Sequence, residues 1–161
     1  FLAFVCRKCE AFALKFTNLG IRTVVLRKGV VLVKNGGMVQ KLTPLAKRGI
    51  TVSLGSGKQY LPWIDIRDLV RLYEFILSNS TVSGIFNAIA IEQITMNDFS
   101  KRLLHSFGKK SFLPNVPSFI IRLLFGEMSV MLLEGSKVSN EKLKTTGFIF
   151  EFDTLEKSLS S

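Results

Sequence analysis

Histidine and cysteine are nearly absent from this chain, which removes most metal and thiol chemistry at the outset. His105 is the only histidine, and Cys6 and Cys9 are the only cysteines, among 161 residues. Zinc sites built on histidine pairs are therefore excluded. The two thiols form a C-x-x-C within FLAFVCRKCEAFALKF, a spacing that also occurs in redox pairs and in half of a metal site. The apolar positions of that stretch recur at helical spacing and there is no second cysteine pair. The simpler expectation is two reduced thiols on a helix, as in cytoplasmic proteins. One tryptophan and two tyrosines stand against 14 phenylalanines. Phenylalanine offers area without a polar handle, so most of these rings belong in a core.

Negative charge is scarce as well: 12 Asp and Glu against 22 Lys and Arg leave a net charge of +10. Such a surplus attracts phosphates, nucleic acid or anionic lipid. The cations, however, are scattered from Arg7 to Lys157, and no basic run is interleaved with aromatics. A basic solvated surface is favoured over nucleic-acid binding. Long apolar runs are missing too. The longest, SFIIRLLF, is broken at Arg122 far short of the roughly 20 residues of a membrane span. The start shows no basic-then-apolar signal pattern. It falls within a helical pattern and lacks an initiator Met, as expected of a fragment, and the expected location is cytoplasmic.

What is present is enough for a core: 47% of residues are hydrophobic and 21% charged, consistent with one domain or a compact part of a larger one. Residues 1–19 read as an amphipathic helix closed by Gly20. IRTVVLRKGVVLV (21–33) is β-branched and almost continuous, as in a parallel strand buried on both faces. A turn at KNGG precedes a helical stretch interrupted at Pro44. DLVRLYEFILSN (68–79) is a helix for which Asp68 is the expected cap, and GIFNAIAI (84–91) is a strand. Thr95 and Asp98 are spaced as a capping box. Beyond it come two short helical pieces separated by Gly126, a helix opened by Ser139 and closed by Gly147, an alternating strand FIFEF, and a terminal helix capped by Asp153 or Thr154. There is no internal repeat. The class is α/β with a small helical lobe at the end.

Residues 55–70, GSGKQYLPWIDIRDLV, begin like a phosphate loop. A P-loop needs Gly where Val52 stands and Ser or Thr where Gln59 stands. The dinucleotide fingerprint G-x-G-x-x-G needs Gly where Tyr60 stands. Both motifs fail. Lys58 beside its glycines could still meet a phosphate, or it is a solvated lysine in a tight turn.

The order of segments is more telling than any one of them. Leu26–Leu32 as L-R-x-G-V-V-L, the pair Gly36–Gly37, Gly55–Leu69, and Gly84–Asn87 as G-x-x-N come in sequence. They are followed by Leu113–Pro117 as L-P-x-P, Gly126–Glu127, Leu132–Gly135, and Gly147–Phe150 as G-F-x-F. Along essentially its whole length the chain resembles the atypical extended short-chain dehydrogenase/reductases known as epimerase-family, or nucleoside-diphosphate-sugar epimerase-like, proteins. Those proteins carry C-x-x-W-E in the first helix, where this chain has Cys6 and Cys9–Glu10. They have His where Asp65 stands and Pro where Asn140 stands.

The resemblance implies the C-terminal part of an NAD(P)-binding, Rossmann-like fold. Residues 1–95 would hold the last helix and strands of the sheet with the cleft-lining segments, and 96–161 the substrate-side lobe. It implies NADP, or NAD, as cofactor of the full-length protein, with Gly29, Val30 and Val31 passing the nicotinamide. The side chains of Val30 and Val31 are core by their chemistry. The implied substrate is a small molecule of the nucleotide-sugar class, with sugar-nucleotide epimerisation or reduction as the reaction. The rival expectation is a non-catalytic interaction or regulatory module. Candidate cleft residues are Arg27, Lys58, Gln59, Trp63, Asp65 and Asn87. Arg27, placed in a buried strand, calls for a carboxylate partner or a phosphate. Trp63 is a sugar platform or a packing anchor, and Asn87 a substrate contact or a tie to a neighbouring loop. No catalytic residue is assigned, because neither Tyr60 nor Tyr73 has a Lys four positions later. A second copy, or a missing N-terminal half, would pair with the sheet edge that a fragment leaves open.

Overall fold

The computed structural model describes residues 2–34, 36–50, 53–110, 114–126, 129 and 133–160. Helix α1 (Leu2–Lys15) tightens into a 3-10 turn (Phe16–Leu19). Gly20 ends it with φ 75°, its N–H bonded to the Thr17 carbonyl, which is the left-handed stop the glycine predicts.

The stretch expected as one strand buried on both faces is two strands, β1 (Val24–Lys28) and β2 (Val30–Leu32), separated by Gly29. The physical reason is a change of neighbour. β1 pairs in parallel with β5 (Gly84–Ala88), whereas β2 pairs in parallel with β4 (Trp63–Asp65). At the switch the Gly29 N–H donates to the Ala88 carbonyl at 3.4 Å and the Val30 N–H to the Pro62 carbonyl at 2.7 Å. A Cβ on residue 29 would lie 2.5 Å from the Pro62 oxygen, so glycine is what lets the chain at Pro62 close in. Among the described residues β1 is paired along one edge only, and its last two residues are exposed.

Side-chain alternation along these strands builds two cores, one on each face. Trp63 joins Leu32, Phe99, Leu103 and Leu155 on one side. Ile64 joins Leu72, Phe86, Leu143, Phe148 and Phe150 on the other. Each fully buried aliphatic or Phe side chain contributes about 1.5–3 kcal/mol relative to exposure. Phe148 and Phe150 meet edge to face at 4.9 Å between centroids, a favoured geometry for the ring quadrupoles.

The helices conform to their capping chemistry, with two corrections. Helix α2 (Gly37–Lys47) runs through Pro44 rather than breaking there. Burial of Val39 and Ala46 holds both sides of it, and the Thr43 hydroxyl donates to the Val39 carbonyl at 2.8 Å. Helix α3 (Ile66–Ser78) begins earlier than expected, so its cap is Asp65 and not Asp68. A short antiparallel pair, β3 (Tyr60–Leu61) with β6 (Ile94–Thr95), leads into α4 (Met96–Ser106). There Thr95 and Asp98 form the capping box in full.

In the terminal lobe α5 (Ser118–Phe125) ends at Gly126. The second helical piece lies, apart from Ser129 and Leu133, outside the described residues, as do Leu113, Glu127 and Leu132 of the resemblance and Val52 of the failed P-loop. Helix α6 (Glu141–Lys144) is followed by Gly147, and α7 (Leu155–Ser160) closes the chain. FIFEF is not a strand. Phe148 and Phe150 are buried and Ile149 is 75% exposed, so the alternation is real. What replaces the ladder is the Asp68 carboxylate, which accepts the N–H groups of Glu151 at 3.0 Å and Phe152 at 2.9 Å. Among the described residues no helix is long and apolar enough to cross a membrane.

Candidate functional site

Where β1 leaves β5 and β2 joins β4, the carboxyl ends of two parallel strands open onto a cleft of about 810 Å³. In open α/β sheets such a switch in strand neighbours is where ligands bind. Arg27, Gly29, Val30 and Asn87 all line it. Val31 packs instead toward the Phe86 core. The Arg27 guanidinium makes a two-pronged ion pair with Glu10 of α1, at 2.7 and 2.6 Å. Arg27 is exposed, so the pairing expected of it arises without the burial that prompted the expectation. Its hydrogen bonds hold the Glu10 carboxyl below the usual carboxylate range.

Asn87 is a tie: its Nδ2 donates to the Ser139 carbonyl at 2.8 Å. Two more amides fasten the same segment. Gln93 donates to the Val138 carbonyl at 3.0 Å, and buried Asn140 to those of Ile89 at 3.0 Å and Ala90 at 3.3 Å. Residues 137–139 are thereby laid across the strand ends as a wall of the cleft.

The other candidates lie elsewhere. Trp63 is 1% exposed and its Nε1 donates to the Glu92 carbonyl at 3.1 Å, which makes it a packing anchor. Asp65 is 2% exposed. It caps α3 through the Arg67 N–H at 2.8 Å, holds the Arg67 guanidinium by both oxygens, and accepts from the Ser158 hydroxyl at 2.6 Å. Burial pushes this carboxyl up, but the hydrogen bonds from Arg67 and Ser158 outweigh it and hold the group below the usual range. Arg67 also stacks on Phe152, 3.5 Å from the ring centroid. A carboxylate with every oxygen engaged this way is a structural fastener.

The glycine loop does not form a phosphate cradle. The N–H of Gly55 goes to Val116, that of Gly57 to Leu54 and that of Lys58 to the Ser56 hydroxyl. Gln59 Nε2 donates to the Leu54 carbonyl at 3.0 Å. Gly57, at φ 69°, seats the loop against α4, where a Cβ would collide with the Asn97 side chain. Lys58 is exposed and does not line the cleft. Cys6 and Cys9 are free and exposed on α1, and among the described residues no group of three or more His, Cys, Asp or Glu side chains could hold a metal.

Six lining residues escaped sequence reasoning: Lys28, Pro62, Ile89, Lys137, Val138 and Ser139. Scattered lysines carry no pattern, and only the fastened segment reveals where Lys137 is delivered.

Parallel strands with flanking helices and a cleft at a change of strand neighbour define a Rossmann-like α/β fold. Residues 116–161 match a family described as a domain of unknown function (DUF1731). Over 99% of its length the chain is 36% identical to the mouse epimerase family protein SDR39U1, covering 54% of that protein. It is 35% identical to the epimerase family protein SAR0825 of Staphylococcus aureus, covering 53% of it. Among solved structures, human SDR39U1 (isoform 2) with NADPH superposes with a TM-score of 0.81 at 34% identity, over 86% of this chain and 47% of that one. The nucleoside-diphosphate sugar epimerase of Corynebacterium glutamicum shares the fold, with a TM-score of 0.72 at 24% identity over 99% of this chain and 31% of that one. Over its whole length the chain is thus similar to proteins of the epimerase family, and it spans about half the length of the curated relatives it matches.

Proposed function

We propose that this chain supplies the substrate-side cleft of a nicotinamide-dinucleotide-dependent, epimerase-like protein acting on a nucleotide sugar. The observation that carries this is the open cleft at the carboxyl end of β1, with backbone rather than bulky side chains at Gly29–Val30. That arrangement fits the nicotinamide end of a dinucleotide. The glycine loop, which lies outside this cleft, offers no second phosphate site, because the N–H groups of Gly55, Gly57 and Lys58 are spent internally. The cofactor when bound supplies the hydride chemistry. This chain's residues position it: Gly29 lets Pro62 close in and so shapes the cleft floor, the Arg27–Glu10 pair fixes α1 against the strand end, and the fastened segment shapes the opposite wall. The NADPH named with the human relative favours NADP over NAD as the group to test.

In this reading residues 1–95 carry the sheet with cleft-lining segments and 96–161 the substrate-side lobe, which adds residues 137–139 to the cleft wall. The open edge of β1 and the exposed Phe4, Phe12, Leu19 and Ile21 support the pairing of this face with a further half of the fold. The same face also favours the second reading, an interaction module without catalysis.

Titration of NADPH and NADH into the longest native form of the protein, followed by the fluorescence of the reduced nicotinamide, separates these readings. Saturable enhancement with NADPH is expected. Its absence with both cofactors rejects the dinucleotide reading and leaves the interaction module.

A further inference from the structure

The cleft has an excess of positive charge with a fixed address. It is lined by three cations, Arg27, Lys28 and Lys137, and by no carboxylate among the described residues. Arg27 is neutralised by Glu10. Glu92, which stands behind the segment near Trp63, is engaged by Arg102 at 2.7 Å and by the Leu155 N–H at 2.8 Å. Lys28 and Lys137 are therefore the uncompensated charges, one at the end of β1 and one on the fastened segment.

A flexible lysine in solvent is ordinarily a solvated surface charge, but the backbone directly after Lys137 is held. Asn87 and Gln93 hold the carbonyls of Ser139 and Val138, and Asn140 anchors the far end beneath the strand extension at Ile89–Ala90. Three side-chain amides from two directions fix residues 138–140, directly after Lys137. Fixing the backbone beforehand reduces the ordering cost of binding, so the charge it presents is worth more to a ligand. Ammonium groups bind phosphate oxygens as point charges through charge-assisted hydrogen bonds.

We infer that Lys28 and Lys137 form an anion-receiving pair that takes the phosphate oxygens of a ligand lodged in this cleft, with the fastened residues 138–140 as its positioning strap. The inference rests on the reading of this cleft as the ligand site. A substrate diphosphate and a cofactor phosphate offer the same chemistry, and the experiment distinguishes them.

Calorimetric titration of UDP, inorganic pyrophosphate and uridine, with NADPH run in parallel, is carried out on the longest native form. UDP, pyrophosphate or NADPH is expected to bind saturably, with uridine at least about tenfold weaker than UDP because it lacks the charged oxygens. Lys137→Gln and Lys28→Gln should each weaken the phosphate-bearing ligand about tenfold, and the paired variant more. Lys58→Gln, outside the cleft, should leave every affinity unchanged. Loss confined to UDP and pyrophosphate assigns the pair to the substrate, and loss confined to NADPH assigns it to the cofactor. Either supports the inference. If NADPH and UDP bind to the lysine variants as to the wild type, the inference falls while the cleft reading stands. If the wild type binds neither, both fall.

Discussion

The two ends of the β1–β5 and β2–β4 switch use charge in opposite ways. At the α3 end, Asp65 and Asp68 are buried and every carboxylate oxygen is spent on the chain itself: backbone N–H groups of α3 and of the 151–152 segment, Arg67, Arg71 and Ser158. At the cleft end, Lys28 and Lys137 are exposed and lack a carboxylate neighbour in the cavity. Burial demands that a charge be satisfied internally, whereas an open cleft permits it to wait for a ligand. The difference separates fasteners from functional groups without reference to any motif. It moves Asp65 to the structural side.

Breaking the fastened end should give the largest effects. Trp63→Ala removes a ring at 1% exposure from the core and its Nε1 bond to Glu92, and is expected to cost about 4 kcal/mol in urea unfolding. Asp68→Ala orphans the N–H groups of Glu151 and Phe152. About 2–3 kcal/mol should be lost, with protection from hydrogen exchange lost at 148–155 before the sheet. A loss spread evenly over the chain would contradict the local role.

Asp65 sharpens the comparison through pH. Its folded-state carboxyl is depressed below the unfolded value, mainly because the Arg67 and Ser158 hydrogen bonds overcome burial. The unfolded chain therefore binds the proton first as pH falls. The stability it contributes is complete above the unfolded value of about 3.9 and is lost as pH drops through the lower folded value. Asp65→Asn should flatten the acid limb of a stability–pH curve below about pH 4. An unchanged limb would show that the other depressed carboxyls, Asp98 beside Thr95, Asp153 beside Lys157 and Glu10 beside Arg27, carry the dependence instead.

The exposed side should be nearly inert to stability. Leu77, 76% exposed on α3, should tolerate Leu77→Lys within about 0.5 kcal/mol in the isolated chain. Breaking the Arg27–Glu10 pair with Glu10→Gln should leave the unfolding midpoint unmoved and be visible only in ligand titrations. If Leu77→Lys is strongly destabilising in the longest native form but not in the isolated chain, α3 is a face covered by the rest of the fold.

Much of the architecture was legible because local chemistry and tertiary context agree. Gly20 needs a left-handed backbone, Thr95 and Asp98 sit three apart, and alternating Phe148, Ile149 and Phe150 bury two rings and expose the third residue. Residue order alone also pointed to the epimerase family, with Gly29, Val30, Asn87 and Arg27 near a cleft. Tertiary structure alone decided the rest. It broke the β-branched run at Gly29, because Pro62 arrives from 33 positions away. It gave the cap of α3 to Asp65 and turned Asp68 into a substitute strand partner. It carried Lys137 to the same cleft as Lys28, more than 100 residues distant. Periodicity and capping are encoded within a few residues and can be seen in any short window. The neighbour a strand selects, and the partner that satisfies a buried charge, depend on which distant backbone arrives beside it.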